Sequence, residues 1–146
     1  MKLRSALSFC LTLALLLTTG CRKPPPPPGP PAHPVHVKVL YQGRPAKNFC
    51  VIFTPLDATW KVKFAPAAIT DDNGEFQLRS YQPGDGAPTG EYAVTFQWPD
   101  HINTGNESEP APEVDRLGGR YSDPKKSQFK AVVHEGENSL EPFMLP

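Results

Sequence analysis

The chain has 146 residues, with 15 Lys and Arg set against 15 Asp and Glu, so its formal net charge is zero. That length predicts one domain, and the charge balance excludes a field strong enough to draw in nucleic acid. Its 19 prolines, and the lack of any long amphipathic periodicity of helical type, exclude a helical protein.

Met1-Lys2-Leu3-Arg4 is a basic opening, followed by an apolar run from Ala6 to Leu17 that only Ser8 and Thr12 interrupt. The pattern predicts an export signal and is too short for a comfortable membrane span. The next residues, Leu17-Thr18-Thr19-Gly20-Cys21, resemble a bacterial lipobox, with Thr18 standing where that pattern has Leu, Val or Ile. The resemblance implies a signal peptide of residues 1–20, cleavage before Cys21 and lipidation of its thiol. Two acyl chains hold a protein stably where one is marginal, so the membrane becomes a partner through the lipid. An ordinary secretory cleavage nearby is the alternative. Arg22 occupies the place where an Asp would signal inner-membrane retention, which points to the outer membrane of the cell envelope.

From Cys21 to Pro34 the chain reads as a linker, most of it the run PPPPPGPPAHP. Such a run favours extended polyproline II geometry at roughly 3.1 Å per residue, a stalk of about 30 Å. The alternative is a docking segment for an aromatic-lined groove.

A folded body is expected over residues 35–146. Val35, Val37, Val39 and Tyr41 alternate with His36, Lys38 and Leu40, a strand that Gln42-Gly43-Arg44-Pro45 turns back. A second strand runs from Phe49 to Thr54, with Phe49, Val51 and Phe53 on one face and Cys50 and Ile52 on the other. Cys10 leaves with the signal and Cys21 is committed to lipid, so Cys50 is read as a quiet, partly buried thiol rather than half of a disulfide. Residues 60–64, WKVKF, predict a short edge strand or one arm of an irregular hairpin.

Asp71-Asp72-Asn73-Gly74 predicts a tight reversal, because Asp and Asn bond to nearby backbone and Gly74 tolerates positive φ. Phe76 and Leu78 then share a core face in a short strand reaching Ser80. The turn PGDGAPTG, containing Gly84, Gly86 and Gly90, leads into a longer strand. There Tyr92, Val94, Phe96 and Trp98 are expected on a single buried face, with Ala93, Thr95 and Gln97 outward. Tyr92 follows Gly90 closely enough to form a tyrosine corner, its hydroxyl on the preceding backbone.

Pro99 to Lys126 shows neither period and is a long excursion. His101 to Pro112 is polar, acidic and expected to be mobile. In contrast, Val114, Leu117 and Tyr121 are expected to pack back on the body, Tyr121 as an aromatic plug or as a candidate interaction residue. Strands resume at Gln128 to His134 and at Ser139 to Leu145, the last with a bulge at Glu141-Pro142 that reconciles Leu140 with Phe143 and Leu145.

The run Thr70-Asp71-Asp72-Asn73-Gly74-Glu75-Phe76, the turn leading to Gly90-Glu91-Tyr92, Gly43-Arg44-Pro45 before Val51-Ile52-Phe53-Thr54-Pro55, Gly119-Arg120-Tyr121-Ser122-Asp123-Pro124 and Gly136-Glu137-Asn138-Ser139-Leu140 together resemble a known family. It is the transthyretin-like, or carboxypeptidase-regulatory-like, domain of small planctomycete-type bacterial lipoproteins. The resemblance covers roughly residues 35 to 145 and implies an all-β Greek-key β-sandwich of about seven strands. It implies no particular activity, since its motifs are turns and core positions.

No chemical motif stands out. His33, His36, His101 and His134 lack metal-ligand spacing, and Asp71-Asp72-Asn73 does not continue into a calcium loop. The glycines of PGDGAPTG are followed by neither Lys nor a helix, as a phosphate cradle requires. Related sandwich enzymes carry a C-terminal Tyr-Arg-Gly-Ser or a two-Tyr, two-His iron site, and neither set is matched here. The expectation is a non-catalytic envelope interaction or structural module without a cofactor, its partner an envelope protein or polysaccharide. The alternatives are a small-ligand or carbohydrate-binding domain and an uncharacterised hydrolase or iron enzyme.

Overall fold

The computed structural model describes residues 27–57, 64–100 and 114–146. The expectations for the signal segment, for Cys21, for most of WKVKF and for His101 to Glu113 lie outside the described residues. Within them every regular element is a strand. In chain order these are β1 (Ala32–His33), β2 (Val35–Tyr41), β3 (Arg44–Pro45), β4 (Cys50–Pro55), β5 (Ala67–Ile69), β6 (Glu75–Gln77) and β7 (Ala87–Pro88). Then follow β8 (Gly90–Gln97), β9 (Pro99–Asp100), β10 (Val114–Asp115), β11 (Lys130–Val133), β12 (Asn138–Ser139) and β13 (Phe143–Leu145).

One sheet is antiparallel in the order β11-β8-β4-β5. The other is built on β2. Along one edge β2 pairs in parallel with β12 and then β13, and along the other it pairs antiparallel with β6 and β3. The break between β12 and β13 is the expected bulge. Asn138 lies opposite Val35 and Phe143 opposite Val39, so five steps on one strand match four on the other.

The two sheets share one core because period-two alternation sends Val35, Val37 and Val39 inward from β2, and Val51, Phe53, Tyr92, Val94 and Phe96 inward from β4 and β8. Phe143 bridges the layers, its ring 6.3 Å from Phe53 and 5.5 Å from Phe96, both edge-on. Phe76 closes on Phe53 from the same side at 6.4 Å. Each such ring contributes about 1.5–3 kcal/mol by burial, and edge-to-face pairing adds roughly 0.5–1.5. Thr70, a buried hydroxyl among these groups, accepts from the Phe49 amide at 2.8 Å and donates to the Ala46 carbonyl, so it carries no unpaired atom into the core.

Three expectations are corrected. β8 is buried on both faces rather than one: Ala93 and Thr95 are 0% and 3% exposed. Both are small, and Ala93 lies directly between Thr54 on β4 and Lys130 on β11, while Thr95 lies beside Ile52 on β4. The strand expected to reach Ser80 stops at Gln77, because the Asp85 carboxylate takes the amides of Ser80, Tyr81 and Gln82 at 2.7, 2.9 and 2.9 Å and curls the chain into a turn. Val114 does not pack on the body. It is 48% exposed in the two-residue pairing of β10 with β9, whereas Leu117 and Tyr121 do reach the core.

The turns are set by backbone that approaches too closely for a side chain. Gly74 has φ 74°, and a Cβ there would stand 2.4 Å from the Val39 carbonyl oxygen. At Gly86, φ is 91° and a Cβ would fall 1.7 Å from the His33 carbonyl oxygen. Beside that second approach β1 pairs with β7, joining Ala32 to Pro88 and His33 to Ala87.

Tyr92 makes the corner contact. Its ring is buried against Phe53 at 5.6 Å, and its hydroxyl donates to the Pro88 carbonyl at 2.6 Å. Burial, with a smaller contribution from the nearby Tyr81 phenol, pushes the Tyr92 phenol far above its ordinary pKa. Tyr92→Phe should cost on the order of 1 kcal/mol and Tyr92→Ala about 3 or more, read by urea denaturation. The sign of the pH dependence follows: above about pH 10 the unfolded chain releases this proton while the folded chain keeps it, so stability falls as pH rises. The Phe variant should lose part of that alkaline slope. An identical slope in both proteins would show that Tyr92 does not carry it.

Candidate functional site

The alternation that buries Val35, Val37 and Val39 turns His36 and Lys38 outward, and the strand register sets polar partners beside them. His36 faces Gln77 on one side and Ser139 on the other, and Lys38 faces Glu75. On the other sheet, Cys50 is paired with Ile69, and Ala67 bridges to Arg79 through reciprocal backbone bonds of 3.1 and 3.0 Å. That bridge joins the two sheets at one side, and the outer surface across the join is an open groove of about 1040 Å³.

Its walls carry mixed charge. His36, Lys38 and Arg79 supply basic groups, Asp71 and Glu75 acidic ones, and Ile69, 70% exposed, supplies an apolar patch. Beside it His36 Nε2 lies 3.5 Å from a carboxylate oxygen of Glu137. Cys50 lines the groove as a half-buried thiol. Among the described residues no three His, Cys, Asp or Glu side chains gather as metal ligands. The arrangement suits contact with an extended chain bearing both charge signs.

The sequence-singled residues divide between this groove and the scaffold. Asp71 lines the groove while its Oδ1 accepts from the amides of Asn73 and Glu75 at 2.8 and 2.9 Å. Asp72 reaches away to Lys47 at 2.7 Å, and Asn73 and Gly74 complete the turn. Gly84, with φ 73°, also lines the groove, so the two turns meet there. Gly86, Gly90 and Tyr92 do not. Tyr121 lies apart, its ring 6.2 Å from Phe129, its hydroxyl on the Pro146 carbonyl at 3.2 Å and the Arg120 guanidinium 5.6 Å above it. It borders a separate hollow of about 270 Å³ with Asp123 and Lys126.

Two residues with an organising role were missed. Asp85 holds the turn that presents Gly84, and Asp115 holds the end of the long excursion. The Asp115 carboxylate accepts from the amides of Trp98, Leu117 and Gly119 at 2.8, 3.0 and 2.9 Å, tying β8 to the loop that carries Tyr121. Arg116 then lies over Trp98 at 5.0 Å and pairs with Asp100 at 2.6 Å. The signal available for Asp115 was the run Asp115-Arg116-Leu117-Gly118-Gly119, an Asp ahead of a turn that needs two positive φ values.

A scan against protein-family models finds no match, and a search of curated proteins finds no relative. Among solved structures the chain is similar to a 9R-lipoxygenase from Cyanothece PCC8801, with TM-score 0.45 and 14% identity over 80% of this chain and 17% of that one. A likeness of that size carries no argument about fold or activity.

Asp115→Ala, which removes the acceptor for three amides, should cost about 2 kcal/mol or more. Asp115→Asn keeps one oxygen for Trp98 and Leu117 and turns an NH₂ toward Gly119, so it should cost less. Urea midpoints of the two variants check this order, and a reversal would show that the bonds are not what holds the loop.

Proposed function

We propose that the protein is a lipid-anchored, non-catalytic interaction module of the cell envelope, presenting the groove across the sheet join to an extended partner. The observation that carries this reading is the groove's wall of mixed charge, where Lys38 and Arg79 stand with Asp71 and Glu75, beside His36 and an exposed Ile69. Such a wall favours a polypeptide of mixed charge over a neutral polysaccharide, which would be held by aromatic platforms. A transthyretin-like Greek-key sandwich is the finer reading of the fold. The Tyr92 corner supports it, as does a chain that leaves the first sheet after β5 and returns to it at β8. The anchor is Cys21 and the destination the outer membrane, a reading supported by Gly20-Cys21 after a short apolar run and by Arg22.

Two experiments test the parts separately. Cys21→Ser should leave the protein uncleaved or move it out of the membrane fraction, and a mature-sized variant that still fractionates with membrane would sink the anchor. Lys38→Glu combined with Arg79→Glu should reduce crosslinking of the tethered wild-type chain to its main envelope partner by tenfold or more, while the melting temperature changes little. Undiminished crosslinking would remove the groove from consideration. Recovery of a polysaccharide instead of a protein would overturn the polypeptide reading.

A further inference from the structure

The turn between β5 and β6 sets an asparagine directly before a glycine, Asn73-Gly74, and asparagine is among the chemically labile side chains. Its carboxamide carbon lies within reach of the next backbone nitrogen. Once that nitrogen gives up its proton it can attack Asn73 Cγ, and glycine, having no Cβ, leaves the approach open. The new N–C bond closes a succinimide while the Cγ–Nδ2 bond breaks, and the departing amide group takes up the proton and leaves as ammonia. Water then opens the ring. Attack at Cγ gives aspartate on an unchanged main chain. Attack at the main-chain carbon gives isoaspartate, whose main chain runs through the former side chain and is longer by a carbon.

The fold treats the two reacting atoms differently. Asn73 is exposed, and its side chain makes no hydrogen bond among the described residues, so nothing shields the carbon. Gly74 is buried, and its amide donates to the Asp71 carbonyl at 3.0 Å. The amides of Asn73 and Glu75 donate to Asp71 Oδ1 at 2.8 and 2.9 Å, and the Asp71 amide donates to the Glu75 carbonyl at 2.9 Å, so the turn is tied on both sides of the reacting pair. The product, in turn, has no room. The Gly74 carbonyl holds the Val39 amide at 2.8 Å, and even a Cβ on Gly74 would stand 2.4 Å from the Val39 carbonyl oxygen and 3.0 Å from the Ala46 nitrogen. We propose that Asn73 is a self-modification site that the native turn holds closed and that reacts when the turn opens, which makes a reversible opening permanent. The isoaspartyl chain cannot rebuild the bond to Val39, whereas the aspartyl chain can. Water is the only co-reactant, and nothing here depends on what the groove binds.

The test follows the full chain in mildly alkaline buffer, folded and in urea, and reads the Asn73 peptide by mass spectrometry with electron-transfer fragmentation to separate isoaspartate from aspartate. Conversion should be slower in the folded chain on the order of tenfold or more, since only the opened fraction reacts. Asp71→Ala removes the acceptor for the Asn73 and Glu75 amides. It should speed conversion of the folded chain roughly fivefold and leave the rate in urea unchanged, with slow exchange of the β8 amides showing that the body stays folded. After return to plain buffer, isoaspartyl chains should lack the slow Val39 amide exchange that unmodified chains regain. Asn73→Asp, which has the ordinary main chain, should keep it. Equal rates in the folded chain and in urea, or an Asp71→Ala chain that converts no faster than wild type, would overturn the closed site. Isoaspartyl chains that recover Val39 protection would overturn the permanence, and the absence of isoaspartate in urea would remove the site itself.

Discussion

One seven-residue strand sustains the second sheet. β2 gives its inner face to the core and both of its edges to other segments, drawn from residues as distant as Arg44, Gln77 and Leu145. Val39 shows how tightly it is held: its amide donates to the Gly74 carbonyl at 2.8 Å, its carbonyl accepts from Ala46 at 3.0 Å, and Phe143 is its partner on the parallel side. The turn at Gly74 can approach only because that residue has no Cβ. The groove inherits this constraint, since His36 and Lys38 face outward only while Val35, Val37 and Val39 face inward.

With no helix among the described residues to satisfy backbone groups internally, the connections rely on carboxylates. Asp71, Asp85 and Asp115 each gather two or three amides, and each stands at a place where the chain leaves a sheet. An amide left unbonded in the part-buried turns of Asp85 and Asp115 costs more than a typical hydrogen bond contributes, so those two carboxylates settle the shape of their loops, while Asp71 adds two bonds to an exposed turn. They also set the surroundings of the candidate sites. Asp71 and the turn held by Asp85 line the groove, and Asp115 fixes the segment that ends in Tyr121.

What could be read from the sequence was what has a period. Alternation located the inner faces of β2, β4 and β11, and the misfit of Leu140 with Phe143 located the bulge. Asp71 was legible because an Asx turn runs forward along the chain. Asp85 was not, because it accepts from residues that precede it and ends a strand whose alternation in sequence continues through Ser80. The double burial of β8 depends on which strands flank it, and Val114 depends on where the excursion is pinned, so neither follows from local pattern. The groove was invisible for a related reason. Its charged residues on the strands, His36, Lys38 and Glu75, occupy the outward half of the same alternation, where any polar side chain satisfies a solvated strand.

The parallel pairing of β2 with β12 and β13 has a consequence for how the body comes into being. Val35 must find Asn138, more than a hundred residues later in the chain, before the edge of the second sheet exists. Contacts so remote in sequence are slow to form, because a large loop is closed before any of them is rewarded. A chain emerging from its N-terminus would therefore leave one edge of β2 unpaired through most of its passage, even after β3 and β6 have taken the other. Until the last strand arrives, the segment at the centre of the finished sheet is the one most open to pairing with the wrong neighbour.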